Sequence, residues 1–284
     1  MSDSDTFTLA TLDRASLTAE RLIPALRILA EEAGYVILGF YGDKEDMGVR
    51  VKDDESPVTA ADEAAESFIL EHLASLTPDI PVIAEEAAAK GDFADISGGL
   101  FWLVDPLDGT KEFINRNGEF TVNIALIEDG RPIAGVVHAP ALNKTWVGAR
   151  GLRLTGHVDG RGAFFAEADN VLAPITTRAV PAQGATAVAS RRHGSGEKLE
   201  ACLKRHNVVE TTSAGSSLKF CLLATGEADL YPRFGRTMEW DTAAGHAVLA
   251  AAGGSVKELD GKPLLYGKSE RGLDNPFFVA RGGA

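Results

Sequence analysis

Cysteine is scarce: Cys202 and Cys221 are the only two in 284 residues, and neither has a partner at CxxC spacing. A zinc knuckle is therefore not encoded. A single disulfide stays open, but the pair reads as reduced thiols of a cytosolic protein. Basic residues are also short, 28 Lys and Arg against 41 Asp and Glu, for a formal net charge of −13. That balance excludes a general nucleic-acid or membrane surface, which needs basic patches. No apolar run approaches the roughly 18 residues of a membrane span. Residues 1–11 lack a basic start followed by an apolar stretch, so no secretory signal is visible. Neither an internal repeat nor a low-complexity tract occurs. The two cysteines and six histidines form no obvious nucleophilic triad.

What remains is an ordinary globular composition, 45% hydrophobic and 24% charged, in a chain long enough for one large domain or two modest ones. Apolar residues near period 3.6 predict a helix over 22–40, with Pro24 in its first turn, and a second over 60–76, stopped by Pro78 and Pro81. The pattern then shortens. Apolar or alternating runs at 81–84, 101–104, 121–127, 133–138 and 146–149 predict a sheet. A strand at 180–189 opens a second unit with helices at 197–205, 217–225 and 242–252 and strands between them, the last helix stopped by Gly253 and Gly254. The expected organisation is an N-terminal extension (1–20), an α+β domain (21–175) and a C-terminal α/β domain (176–284).

The informative segment runs from Trp102 to Thr110, where an apolar strand meets Asp105, Pro106, Leu107, Asp108 and Gly109. Pro106 presets a tight turn. Such a turn brings the carboxylates of Asp105 and Asp108 together and aims the Leu107 carbonyl at the same space. Two carboxylates and a carbonyl form a hard, all-oxygen site suited to magnesium rather than zinc. Glu85 and Glu86 end the apolar run Val82-Ile83-Ala84. They read either as a solvated loop or as ligands. Asp241 opens an alanine-rich helix as a natural N-cap, or faces a metal. Three acidic points at the ends of apolar runs or the start of a helix suit a metal cluster better than three coincidences. Bound cations would also resolve how an acidic protein accepts an anionic substrate.

Trp102-Leu-Val-Asp-Pro-Leu-Asp-Gly-Thr-Lys-Glu-Phe, with Ala84-Glu85-Glu86 upstream and Trp240-Asp241-Thr-Ala-Ala-Gly245 downstream, resembles the lithium-sensitive, magnesium-dependent phosphatase superfamily. That group includes inositol monophosphatases, fructose-1,6-bisphosphatases and 3′(2′),5′-bisphosphate nucleotidases. The resemblance spans roughly residues 22–280. Gly118-Glu-Phe-Thr-Val-Asn-Ile-Ala-Leu, Ser213-Ala-Gly-Ser-Ser-Leu-Lys-Phe-Cys221 and Tyr231-Pro-Arg-Phe-Gly235 look most like the bacterial CysQ-type nucleotidases.

The resemblance implies an αβαβα layered sandwich of the inositol monophosphatase and sugar phosphatase type. It implies two or three Mg2+ ions on Glu85, Asp105, the Leu107 carbonyl, Asp108 and Asp241. Asp62 and Thr110 would orient an attacking water activated by the metals. The N–H groups of Gly109 and Thr110 would cradle the phosphate. His193, Ser216, Lys219 and Arg233 would line a pocket for the nucleotide and its second phosphate. Arg191 and Arg192 stay open between that pocket and the solvated surface. The implied reaction is hydrolysis of adenosine 3′,5′-bisphosphate to AMP and phosphate, with the 3′-phospho-sulfate analogue as a further substrate, recycling a by-product of sulfate activation. The alternatives are an inositol or sugar phosphatase of the same superfamily, and a non-catalytic nucleotide sensor. The partner is a small bisphosphate nucleotide and not a nucleic-acid polymer. The place is the cytoplasm, with peripheral attachment to the inner membrane and the oligomeric state left open.

Overall fold

The computed structural model describes residues 11–42, 50–51, 57–152, 161–168, 171–189 and 196–283. Helix α1 (Ala19–Gly39) carries Leu22, Leu26, Leu29, Ala33 and Ile37 on one buried stripe. It starts earlier than the apolar pattern alone predicts, so Pro24 falls in the second turn instead of the first. It is tolerated because its side is exposed, where water can satisfy the carbonyl that its missing N–H leaves unpaired. Ahead of α1, Leu12 is buried and its N–H donates to the Leu76 carbonyl at 2.6 Å. The part of the expected N-terminal extension that is described is therefore packed, while residues 1–10 lie outside the described residues. A two-stranded ladder, β1 (Arg50–Val51) with β2 (Pro57–Val58), leads into α2 (Ala60–Leu76).

The large sheet follows in chain order: β3 (Val82–Ala84), β4 (Leu100–Asp108), β5 (Thr121–Glu128), β6 (Arg131–Ala139), β7 (Lys144–Arg150), β8 (Arg161–Glu167) and β9 (Ala173–Ile175). Among the described residues of this sheet only the β3–β4 pair is parallel; α3 (Glu85–Ala89) leads out of β3 and α4 (Thr110–Ile114) follows β4. The second sheet is built from β10 (Ala185–Ala189), β11 (Val208–Ser213), β12 (Leu230–Arg233), β13 (Ser255–Glu258) and β14 (Phe278–Arg281), in the order β11-β10-β12-β14-β13. Its helices are α5 (Glu197–Arg205), α6 (Leu218–Ala224) and α7 (Trp240–Ala251).

The central strands are apolar almost throughout because both faces are covered. Trp102, Val104, Val122, Ile124 and Val136 pack with α1 and α2. The alternate residues Phe101, Leu103, Ala125, Ile127 and Val137 pack with α6, α7 and the inner face of the small sheet. The layers are thus helices, large sheet, helices, small sheet and α5, the expected sandwich. Helix α7 sits close on the large sheet because Gly135 and Gly148 offer no side chain there. A Cβ at Gly135 would lie 2.8 Å from the Ala247 Cβ, and one at Gly148 2.9 Å from that of Ala251.

Candidate active site

The site forms where β3, β4 and α7 converge. Val104 ends the apolar part of β4, and Asp105 follows on the face turned towards α7. The segment from Asp105 to Asp108 is not the tight turn that Pro106 predicts; β4 continues through it with a break in register against β5 between Asp105 and Asp108. A bulge of this kind re-aims side chains without ending the strand. The Asp105 carboxylate accepts the Leu107 N–H at 3.0 Å, which tightens the bulge. Gly109 then takes φ +93°, a conformation that suits glycine, and starts α4.

Carboxylate oxygens of Glu85, Asp105 and Asp241 lie within 4.8 Å of one another. Residues far apart in sequence thus meet as an all-oxygen cluster whose like charges repel in a partly buried place. Burial, and then Glu85, Asp108 and Asp241, hold the Asp105 carboxyl well above the usual range. Burial, then Asp108 and Glu85, do the same to Asp241. Such a cluster is stabilised by a hard divalent cation, so this donor set fits magnesium.

Asp241 is not the N-cap of α7. Glu239 holds that place, and Asp241 lies in the first turn with its carboxylate accepting the Met238 N–H at 2.8 Å. Asp108 stands beside the trio. It accepts from Asn123 Nδ2 at 3.4 Å, and burial raises its carboxyl against the opposing pull of Lys219.

The water-orienting pair expected from the sequence is in contact. Thr110 Oγ1 donates to Asp62 Oδ1 at 3.2 Å. The other Asp62 oxygen accepts both the N–H and the hydroxyl of Thr59, at 2.8 and 2.5 Å. Asp62 is buried and fixed at the start of α2. Thr110 Oγ1 also lies 3.5 Å from the Leu107 carbonyl oxygen.

On the opposite wall, Ser216 donates from Oγ to the Asp108 carbonyl. Ser216 and Lys219 do not share the start of a helix as their spacing predicts, since Ser216 precedes α6 with φ +49°. They meet instead through the Lys219 ammonium, which donates to the Ser216 carbonyl at 2.5 Å and the Ala214 carbonyl at 3.3 Å. Burial pushes the Lys219 ammonium down to about 8, with Asp108 pulling it back up. It lies 5.4 Å from the Tyr231 ring centroid. Arg233, at the end of β12, donates to the Gly235 and Arg236 carbonyls. Arg191, Arg192 and His193 lie outside the described residues.

Sequence reasoning passed over Glu66. This buried carboxylate accepts the N–H of Glu86 at 2.7 Å and of Ala87 at 2.8 Å, which fixes the first turn of α3 and so the backbone of Glu85. Burial pushes it up to about 7, opposed by those N–H groups. The available signal was its place one helical turn after Asp62, on the same face of α2. Asn123 was also missed; it lies on β5 directly across from Asp105.

The family model for inositol monophosphatases matches residues 19–276. The chain belongs to the inositol monophosphatase family. Within that family, it is 48% identical over 252 residues to the 3′(2′),5′-bisphosphate nucleotidase CysQ of Escherichia coli strain K12, covering 89% of this chain and 96% of that protein. The corresponding protein of Haemophilus influenzae is 33% identical, with 93% of each chain covered. Among solved structures, CysQ from Bacteroides thetaiotaomicron superposes with a TM-score of 0.74 at 36% identity, covering 93% of this chain and 97% of that one. An inositol monophosphatase from Anabaena superposes at 0.69 with 26% identity, covering 93% and 91%. Inositol monophosphatase family enzymes are metal-dependent, generally on magnesium, in keeping with the acidic cluster.

Proposed function

We propose that the chain is a magnesium-dependent 3′(2′),5′-bisphosphate nucleotidase that hydrolyses adenosine 3′,5′-bisphosphate to AMP and phosphate. The observation that carries the reading is the juxtaposition of the Glu85, Asp105 and Asp241 cluster with the cations Lys219 and Arg233. A substrate with one phosphate needs only the acidic side of this pair. A second phosphate needs fixed positive charge nearby, and Arg and Lys are its usual partners. The nucleotidase relatives at 48% identity support the same choice over an inositol phosphate.

Glu85, Asp105, Asp241, Asp108 and the Leu107 carbonyl would hold two or three Mg2+ ions. When bound, these supply positive charge against the phosphate and the leaving oxygen. Because Thr110 Oγ1 donates its own proton to Asp62, its lone pairs are left to accept from a water. Asp62 cannot rotate away, since Thr59 holds its second oxygen. The pair therefore fixes the direction from which water attacks. The amides of Gly109 and Thr110 would border the phosphate position, and Ser216, Lys219 and Arg233 would take the nucleotide side; His193, expected there from the sequence, lies outside the described residues. Two of the three Lys219 donors brace the loop before α6, which leaves one for the substrate.

The 3′-phospho-sulfate analogue would be a further substrate, and a role in recycling a by-product of sulfate activation follows from that chemistry. We place the enzyme in the cytoplasm, where its two free thiols suit a reducing compartment. No helix among the described residues is long and apolar enough to cross a membrane. We divide the chain near residue 176, at the change from the large sheet to the small one.

The test is phosphate release from adenosine 3′,5′-bisphosphate, with magnesium and with chelator, beside inositol 1-phosphate. Magnesium-dependent release from the nucleotide, at least ten-fold faster than from the inositol phosphate, is expected. Release from inositol phosphate alone would overturn the assignment of Lys219 and Arg233.

A further inference from the structure

The small sheet has a second face. Phe278, Ala280 and Val256 belong to the core beneath it. Alternation along the strands therefore turns Val279, Arg281 and Lys257 outward. Tyr231 pairs with Ala280 and Arg233 with Phe278, so both lie on the inner side together with Lys219. Above the outward face lies α5, with Lys198, Ala201, Cys202 and Arg205 on one side of the helix at i, i+3, i+4 and i+7. These residues line one wall of a cavity whose other wall is the outward face of the strands. Between helix and sheet is a cavity of about 620 Å3, within the range of small-molecule sites.

The charge of this cavity is unusual for a chain of net −13. Arg205, His206 and Arg281 converge on Cys202. Arg281 Nη2 lies 3.1 Å from His206 Nε2, and both guanidinium groups act on the imidazole and on the thiol. Among the described residues, no ion pair takes up Arg205, Lys257 or Arg281. The lining carboxylate, Glu258, pairs with Phe278, whereas Arg281 pairs with Ser255. Three residues of strand, roughly 10 Å, separate the two. The other end of the cavity is apolar, with Phe234, Leu259 and the aliphatic stems of Lys198 and Lys257. From Leu230, opposite Arg281, to Phe234 is four residues, about 13 Å.

We propose that this cavity binds a phosphorylated organic anion of nucleotide size, its phosphate between Arg205, His206 and Arg281 and its body against Phe234, Leu259 and Val279. Convergent cations that no ion pair among the described residues takes up repel one another, and a phosphate relieves that repulsion through charge-assisted hydrogen bonds. The length between the cationic end and the aromatic end exceeds what inorganic phosphate fills. The site lies on the opposite face of the sheet from the active site and does not depend on the reaction proposed there.

Cys202 is a built-in reporter, because it is half-buried in the cavity while Cys221 is fully buried elsewhere. The full-length protein is treated with iodoacetamide, a neutral reagent, and alkylation of Cys202 is followed by mass spectrometry. Adenosine 5′-monophosphate at millimolar concentration should slow it at least five-fold, and adenosine should not. The double variant R205A/R281A changes two exposed side chains. It should lose the protection, compared with and without nucleotide in the same variant, while D105N keeps it. An unchanged rate would overturn the site. So would protection that survives R205A/R281A, or protection lost in D105N, which would place the nucleotide in the active site. Equal protection by inorganic phosphate would overturn the nucleotide-sized part of the assignment.

Discussion

Asp105 is the residue on which function and stability conflict most. It is buried among four other carboxylates, Glu85, Asp108, Asp241 and Asp62, and without metal the folded state must hold that charge or a proton in its place. Asp105→Asn should therefore raise the melting temperature of the metal-free protein by a few degrees, about 1 kcal/mol in a chain of this size. The same change should abolish phosphate release and shrink the stabilisation by magnesium, both visible in thermal melts with and without chelator. A lower metal-free melting temperature would mean that the Leu107 N–H held by Asp105 matters more than the repulsion. Glu66→Gln leaves one amide oxygen facing two N–H donors. It should cost about 1–3 kcal/mol in urea unfolding and weaken magnesium binding roughly 10–100-fold. Unaltered magnesium titration by calorimetry would show that α3 holds Glu85 unaided. The two residues differ in how far the sequence reveals them. Asp105 sits in a run whose spacing and proline announce special chemistry. Glu66 is a glutamate on an amphipathic helix, and only the fold shows that β3 delivers the start of α3 to its carboxylate.

At the scale of elements, α7 joins the two halves of the molecule. It rests on the large sheet through contacts in which Gly135 and Gly148 face Ala244, Ala247 and Ala251. Gly135→Ala would place its Cβ 3.0 Å from the Ala244 carbonyl oxygen, a backbone atom that cannot step aside. We expect a loss of about 1–3 kcal/mol, typical of overpacking, and lower kcat with little change in KM, because α7 carries Asp241. An unchanged denaturation midpoint would show that the helix can lift without cost. The bounds of α2 and the existence of β3 to β7 were legible, because period and composition agree there. The strands β11 and β12 were expected between the C-terminal helices but without bounds, and β13 and β14, beyond the last helix, were not foreseen. Val208–Ser213 is a mostly exposed edge without the usual alternation, and Leu230–Arg233 contains a proline. Of the two readings the sequence left open for Asp241, the cap fails for a related reason, while its carboxylate does join the acidic cluster. An aspartate at the head of an alanine-rich stretch has the signature of a cap, and only the neighbouring backbone shows that the helix begins before it.

For the whole molecule, two buried histidines set a pH dependence separate from catalysis. Burial pushes His138 down to about 4 and His246 down to about 3. Below about pH 6.5 the unfolded chain takes up protons that the folded chain refuses, so stability falls as the pH drops from there to about 4. The acid cluster has the opposite sign. The Asp105 and Asp241 carboxyls are raised, so the metal-free protein gains stability as the pH falls through their folded values, down to the ordinary carboxylate range. His138→Gln separates the two. Between pH 7 and pH 5, unfolding midpoints should shift in favour of the variant, and an equal shift in both proteins would refute the assignment.

The cluster also bears on how the chain reaches its native state. Glu85 and Asp241 are more than half the chain apart, on elements from opposite halves. The three carboxylates cannot face one another until the large sheet has formed and α7 has docked on it. Closing so long a loop is slow, and the repulsion between the acids favours no early meeting. An interaction completed only at the end of folding is absent from the transition state, and whatever strengthens it acts on the return rate alone. Magnesium should therefore slow unfolding several-fold in stopped-flow experiments and leave the refolding rate unchanged, acting as a latch that shuts after assembly.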